Sequence, residues 1–359
     1  MKAVAVHPGE KGSAHLREVP TPDVGPGEVL VRVVQVGLDG TDTEINDGLY
    51  GEAPPGDDYL IIGHESLGVV EDVGSEVSDL SVGDLVVATV RRPGGCINCQ
   101  AGENDMCLDG DYTERGIKGA HGFLADYYVE VPDYLVTLPA GYEPVGVLLE
   151  PVTVAEKGIV QALEVQRRMA WEPGRALVLG AGPLGLLATA LLRIMGLETY
   201  TVARAPADGA SLKQQLIAEM GAAYLSSREH PVHELGSELG RIDLIFEATG
   251  HSGVVFDAMQ ALGVNGVMCL TGITGGDAVR EIPADKINLE MVLGNKLVFG
   301  SVNANRRYFE LGVGHIGEIR DRWPGLLERF FTQRLSIEEF EKGLYRPKDD
   351  IKTVVELQS

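Results

Sequence analysis

The chain lacks any apolar run near the roughly 18 residues that a membrane span needs, and Met1 to Glu10 carries no signal-peptide core. The expectation is a cytoplasmic protein with no membrane partner. Cysteine is scarce, with four in 359 residues. Three of them fall within Cys96–Cys107, a cluster that reads as a metal site rather than a disulfide framework. Cys269 stands alone in an apolar stretch, as a core residue would. Positive charge is also short: 30 Lys and Arg face 53 Asp and Glu, for a net charge of -23. A surface this acidic repels nucleic acid and anionic membranes, which excludes both as partners. Acidic excess with few lysines fits a salt-adapted, halophilic protein.

What is present suggests two domains, because 359 residues exceed one ordinary core. The first stretch reads as irregular all-β to about Tyr134. Val29–Val36 is a β-branched run, Leu67–Val73 and Leu85–Val90 are further strands, and Pro- and Gly-rich clusters separate them. From Gly146 the period changes. Leu148, Leu149, Val152, Ala155, Ile159 and Leu163 recur at helical spacing, with Glu150-Pro151 at the helix start, where proline is tolerated. Strands then alternate with helices. Ala176–Leu179, Glu198–Val202, Asp243–Glu247, Gly266–Thr271 and Lys296–Ser301 read as strands, and Leu184–Met195 and Leu212–Met220 as helices. That alternation predicts an α/β fold, a doubly wound parallel sheet of Rossmann type. The tail from about Tyr308 is expected to return to the first domain and close it with a strand at Lys352–Leu357.

Gly180-Ala181-Gly182-Pro183-Leu184-Gly185 follows an apolar strand and opens a helix. In that context the first glycine serves the tight turn, the second lets backbone approach a pyrophosphate, and the third lets helix and strand pack. The next strand runs into Arg204 with no carboxylate at its end. That favours NADP over NAD, because arginine accommodates a 2′-phosphate. Thr249 and Gly250, ending a later strand, are expected to edge the nucleotide crevice.

Metal-ligand types precede this fingerprint. Cys96-x-x-Cys99 with Cys107 has the spacing of a structural zinc loop, but a fourth donor is missing. Asp111 and Asp105 are the nearest carboxylates, and Asp111 is favoured because Asp105 would have to double back within its own loop. Asp39, His64, Glu65 and Glu150 are the donors available for a catalytic zinc, which keeps one position open for water or substrate. A metal half followed by a nucleotide half is what hydride transfer from an alcohol requires.

Together these residues resemble the zinc-dependent medium-chain dehydrogenase superfamily over essentially the whole chain. Gly37-Leu38-Asp39-Gly40-Thr41-Asp42, Gly63-His64-Glu65 and Val82-Gly83-Asp84-Leu85-Val86-Val87 carry the resemblance. Val90-Arg91-Arg92-Pro93-Gly94, Glu114-Arg115-Gly116-Ile117, Leu149-Glu150-Pro151, Gly300-Ser301-Val302-Asn303 and Ile351-Lys352-Thr353-Val354 narrow it to archaeal-type glucose dehydrogenases, in their salt-adapted branch. The resemblance implies a mostly-β GroES-like catalytic domain over 1–154 and 308–359, with a zinc lobe near 93–112, and a nucleotide-binding domain over 155–307. It places the catalytic zinc on Asp39, His64 and either Glu65 or Glu150. Thr41 would bond the reacting hydroxyl, and Glu114, Glu150 and Asn303 would hold sugar hydroxyls, with Asn303 also near the nicotinamide. It further implies a homodimer or homotetramer.

Two departures mark this chain. Asp39 stands where most of the superfamily has cysteine, and its carboxylate is the harder ligand, which should exchange zinc more readily. Pro93 stands at the first lobe cysteine. The expected reaction is oxidation of an aldose such as glucose at C1 to the lactone, with NADP or NAD as acceptor. The rival readings are a polyol or secondary-alcohol dehydrogenase and a zinc-less NADPH-dependent enone reductase.

Overall fold

The β-branched run from Val29 becomes the strand Val29–Leu38, and the largest sheet of the first unit is built around it. In the computed structural model, which describes residues 1–347 and 349–357, the chain divides into two compact units. The first comprises Met1–Glu150, Asn303–Val313 and Leu327–Ser359, and the second Pro151–Val302 and Gly314–Leu326.

In the first unit, Val29–Leu38 pairs antiparallel with Glu65–Val73, Tyr127–Glu130 and Lys352–Glu356. Leu85–Ala88 and Leu135–Thr137 extend one side of the sheet, and Phe331–Ser336 the other. Val29, Val31 and Val33 alternate inward and pack with Val70, Val86, Phe123 and Leu124. Each such side chain contributes about 1.5–3 kcal/mol by leaving water. The registers that matter set Gly37 opposite Glu65 on one side and Val354 on the other. A small sheet of Arg91–Arg92, Thr113–Arg115 and Gly119–Ala120 pairs Arg91 with Glu114.

The expectation of irregular all-β structure with Gly-rich loops to about Tyr134 fails at Gly40–Asn46, which is helical. Asp39 caps that helix, and Asp42 at its third position reaches back to the Asp39 amide, so the two form a capping box. A box of this kind satisfies amides that a short segment could not otherwise pair. Ile97–Gln100 is a second helical turn in the same region. The strand expected to reach Val90 ends at Ala88, where its partner strand Leu135–Thr137 gives way to the 3-10 turn Pro132–Tyr134.

The helix foreseen from Leu148 runs over Leu149–Val165, and the boundary between the units falls within it, after Glu150. In the second unit, six described strands lie parallel in the order Ala223–Ser226, Glu198–Ala203, Arg175–Leu179, Leu244–Glu247, Val267–Leu270, Leu297–Gly300. The chain order reverses between Arg175–Leu179 and Leu244–Glu247, the point where such sheets open a crevice at their carboxyl ends. Ala223–Ser226 was not foreseen; it is short, and pairing with Glu198–Ala203 makes it a strand. Cys269 is buried, and burial pushes its thiol up to about 12. No helix among the described residues is long and apolar enough to cross a membrane.

Candidate functional site

Two groups of metal-ligand side chains assemble in the first unit. The first joins Asp39, His64 and Glu65, whose donor atoms all lie within 4.8 Å of one another. Asp39 is split between two tasks. Its Oδ1 caps the helix by accepting from the Thr41 amide at 2.7 Å, and its Oδ2 lies 3.9 Å from His64 Nε2. That gap is slightly wider than the N···O edge of about 3.4 Å that tetrahedral zinc geometry gives.

His64 follows Gly63, whose φ of +84° is left-handed and suits glycine. The Gly63 amide donates to Asp42 Oδ1 at 3.0 Å, which fixes the turn that delivers the imidazole. His64 Nδ1 is buried without a hydrogen-bond partner, and Asp42 Oδ1 stands 3.9 Å away.

Glu65 is held differently. Lys352 Nζ donates to Glu65 Oε1 at 2.5 Å and also pairs with Oε2, with both side chains buried. Gly37 makes this possible, because a side chain there would overlap both Glu65 Oε2 and the Lys352 stem.

The electrostatics ask for a cation. Burial alone would lower the His64 pKa, but Asp39, Asp42, Glu150 and Glu65 outweigh it and raise it to about 9. Burial pushes Glu150 up to about 8, with Glu65 and Asp39 adding to it, and pushes Asp42 up to about 6. Burial also opposes ionisation of Asp39, yet His64, Lys352 and the Thr41 amide hold it below the ordinary range. Four carboxylates crowd one imidazole and one ammonium, and a divalent cation is the usual way such a donor set is neutralised.

The second group is Cys96, Cys99 and Cys107. Cys96 Sγ lies 3.5 Å from Cys99 Sγ and 3.8 Å from Cys107 Sγ. An S···S edge of about 3.8 Å is what Zn–S bonds of 2.3 Å produce in a tetrahedron. Asp111 Oδ1 meets Cys107 Sγ at 3.5 Å, matching an S···O edge of about 3.5 Å on the same geometry. The Gly95 amide donates to Asp111 Oδ2 at 3.0 Å, and a side chain at Gly94 would overlap the carboxylate. Asp105 is buried, and its carbonyl accepts from Arg91 Nη1. The Leu108 amide, foremost among several hydrogen bonds, lowers Cys96 to about 7, the direction that favours a metal-binding thiolate. The donors therefore fit zinc in both groups.

The sugar-binding candidates also lie in the first unit. Asn303 Nδ2 donates to Glu114 Oε1 at 2.8 Å, and Thr41 Oγ1 reaches Asp39 Oδ2 at 3.4 Å. Asn303 has a φ of +57°, an uncommon left-handed conformation of the kind that collects at functional positions.

In the second unit, Gly180 has a φ of +106°, and Gly182 caps the helix Pro183–Ile194 with open space where a side chain would project. Gly185 packs on the Gly180 carbonyl, which a side chain would strike. Pro183 opens the helix, and Leu184 follows half-buried. Arg204 is exposed just past Glu198–Ala203. Thr249 is less available than its sequence position suggests: its amide and hydroxyl both donate to Glu247 Oε1.

Three residues had no assigned role in the sequence. Asp42 was recoverable from its capping-box spacing to Asp39. Lys352 and Arg91 act through partners 287 and 23 positions away, and nothing local announces them.

Comparison with known proteins places this architecture. Residues 25–140 match the alcohol dehydrogenase GroES-like domain, and residues 143–357 the glucose dehydrogenase C-terminus. A glucose 1-dehydrogenase of Methanocella arvoryzae is 48% identical over 99% of each chain. The Haloferax mediterranei glucose dehydrogenase in complex with NADP, Zn and gluconolactone superposes with a TM-score of 0.92 at 37% identity, covering 100% of both chains. A variant of that enzyme with an aspartate replaced by cysteine gives 0.91 at 36% over the same span. The chain belongs to the glucose dehydrogenase family of the zinc-dependent medium-chain dehydrogenases.

Proposed function

We propose that the chain is a glucose 1-dehydrogenase that oxidises the C1 hydroxyl of an aldose to the lactone, with NADP as hydride acceptor. The observation that carries the reading is the buried excess of carboxylates around His64. The metal and the sugar belong to the first unit and the coenzyme to the second. When bound, zinc supplies Lewis acidity to the sugar hydroxyl and the nicotinamide accepts the hydride.

Asp39 Oδ2, His64 Nε2 and Glu150 are the proposed metal donors. Glu65 already has its charge answered by Lys352, so it is the carboxylate assigned to proton handling. Thr41 Oγ1, which lies 3.4 Å from Asp39 Oδ2, is placed to accept a hydrogen bond from the C1 hydroxyl, and the proton leaves through Thr41 or a glutamate-bound water. Glu114 and Asn303 orient the ring by pairing hydroxyls, which also discriminates against analogues lacking them. Gly180, Gly182 and Gly185 clear the backbone for pyrophosphate, and Arg204 is the proposed partner of a 2′-phosphate. The three thiols and Asp111 hold a structural zinc.

Initial rates with glucose, galactose, xylose and sorbitol, each with NADP and NAD, test this before and after chelation and zinc restoration. The expected result is aldose turnover that prefers NADP, is lost on chelation and returns with zinc. Absence of turnover on every aldose would exclude the reading.

A homodimer or larger homo-oligomer is part of the proposal. Leu297–Gly300 ends the described parallel sheet, and the adjoining helix Ala284–Leu293 has no buried residue, with Leu289, Val292 and Leu293 exposed. An open edge beside exposed apolar side chains favours pairing with a second copy. Sedimentation velocity showing only monomer at micromolar concentration would reject this part.

A further inference from the structure

Arg91 is a buried guanidinium that no step of the proposed reaction uses. Its strand, Arg91–Arg92, pairs directly with Thr113–Arg115, so Arg91 sits opposite Glu114 in the register. Arg91 Nε and Nη2 donate to Glu114 Oε1 at 3.0 and 2.9 Å. Asn303 Nδ2 donates to the same oxygen at 2.8 Å. All three bonds converge on Oε1, which leaves Oε2 as the oxygen that can receive hydroxyls.

The other end of Arg91 belongs to the cysteine lobe. Nη1 donates to the Asp105 carbonyl at 3.1 Å, and Asn104 Nδ2 returns a bond to the Arg91 carbonyl at 2.8 Å. Asn104 and Asp105 occupy the 3-10 turn Asn104–Met106 that leads to Cys107. The Tyr112 ring packs under the guanidinium, 3.8 Å from its central carbon, and fixes its plane.

We propose that Arg91 is a positioning residue for sugar binding: it aims Glu114 and ties the aim of that carboxylate to the cysteine lobe. The inference rests on the sugar-binding role proposed for Glu114. Three donors converging on one oxygen of a buried carboxylate restrict its orientation, whereas one that loses the guanidinium must find new partners. The lobe then has a function beyond stability, because its folded turn is what holds the third nitrogen of the fork.

The test compares wild type, Arg91→Met, Arg91→Lys, Glu114→Gln and the double variant Arg91→Met/Glu114→Gln. KM for glucose, KM for NADP and kcat are measured, with calorimetric binding of gluconolactone and the melting temperature alongside. Arg91→Met should raise KM for glucose and weaken lactone binding about tenfold or more, the scale of losing charge-assisted hydrogen bonds at a buried carboxylate. KM for NADP should stay unchanged. Arg91→Lys, which offers a point charge instead of a fork, should fall between. The double variant should be no worse for glucose than Glu114→Gln, because coupled residues are non-additive.

Unchanged glucose affinity in Arg91→Met overturns the proposal, as does full additivity in the double variant. If Arg91→Met does not fold, Arg91→Lys decides, with glucose KM equal to wild type as the negative result. A wild type that turns over glucose while these variants match it refutes Arg91 alone. A wild type inactive on every aldose removes the role of Glu114 first.

Discussion

The two metal-ligand groups of the first unit solve opposite problems. The cysteine lobe is made of local sequence: Cys96, Cys99 and Cys107 lie within one short loop, and their sulfurs already stand at the edge lengths of a tetrahedron. The Asp39–His64 group draws on a helix cap, a turn and a strand start, plus the start of Leu149–Val165, and its charges are buried and mutually repulsive. A closed thiol site favours retention of its ion, whereas a crowded carboxylate and imidazole site favours an ion that keeps a position open. On the proposed reading, the difference separates a fastening from a reaction centre.

The strongest way to break this comparison is His64→Ala. It should lower kcat/KM for glucose by about a thousandfold or more, as expected for losing a catalytic metal, and remove one zinc equivalent by elemental analysis. The lobe should keep its own metal. Loss of both ions would show that the groups are not independent.

Asp39 sharpens the contrast. Asp39→Ala should lower activity about a hundredfold, through loss of both a ligand and a helix cap. Asp39→Cys should keep or tighten the metal against chelators, because a thiolate is the softer ligand. An Asp39→Ala enzyme with wild-type kcat would remove Asp39 from the site.

Proton competition should also distinguish the two. In the metal-free protein, His64 is raised from 6.5 to about 9 and Glu150 from 4.5 to about 8. A histidine raised on folding stabilises fully below its unfolded value and loses that contribution as pH rises through about 9. A glutamate raised on folding costs stability over the same direction, as pH rises from 4.5 to about 8. Both signs agree, so the melting temperature of zinc-free enzyme should fall between pH 6 and 9, on the scale of these two shifts. Zinc-loaded enzyme should change far less. Parallel curves for the two forms would contradict the assignment.

The smallest effect is expected at the lobe. Cys107→Ser or Asp111→Ala should weaken the second zinc about tenfold or more and lower the melting temperature, with kcat retained. Any rise in glucose KM should then disappear in a background that already carries Arg91→Met.

The sequence made some of this legible because the relevant physics is local. The glycine fingerprint needs only a strand, a turn and a helix start, and Gly180, Gly182 and Gly185 each occupy the geometry their spacing implies. The helix at Leu149–Val165 declared itself by period, and the thiol loop by spacing. Asp39 was readable as a donor but not as a cap; Asp42, three residues on, carried the missing clue. Lys352 lay out of reach because its partner Glu65 is 287 residues distant and brought alongside only by sheet register. Thr249 was placed at a crevice edge by strand position alone, and its hydrogen bonds turn inward to Glu247. Side-chain direction at a strand end is set by neighbours that no local pattern specifies.

Gly37 has no functional group, yet the Glu65–Lys352 pair exists only in the gap it leaves. Even alanine there would force apart two buried opposite charges and leave each without its counterion, a more costly outcome than losing the pair altogether. Mutational scanning of this enzyme should therefore score position 37 among the least replaceable, next to the ligands themselves. A gap the size of one methyl group would then be constrained as tightly as a donor atom.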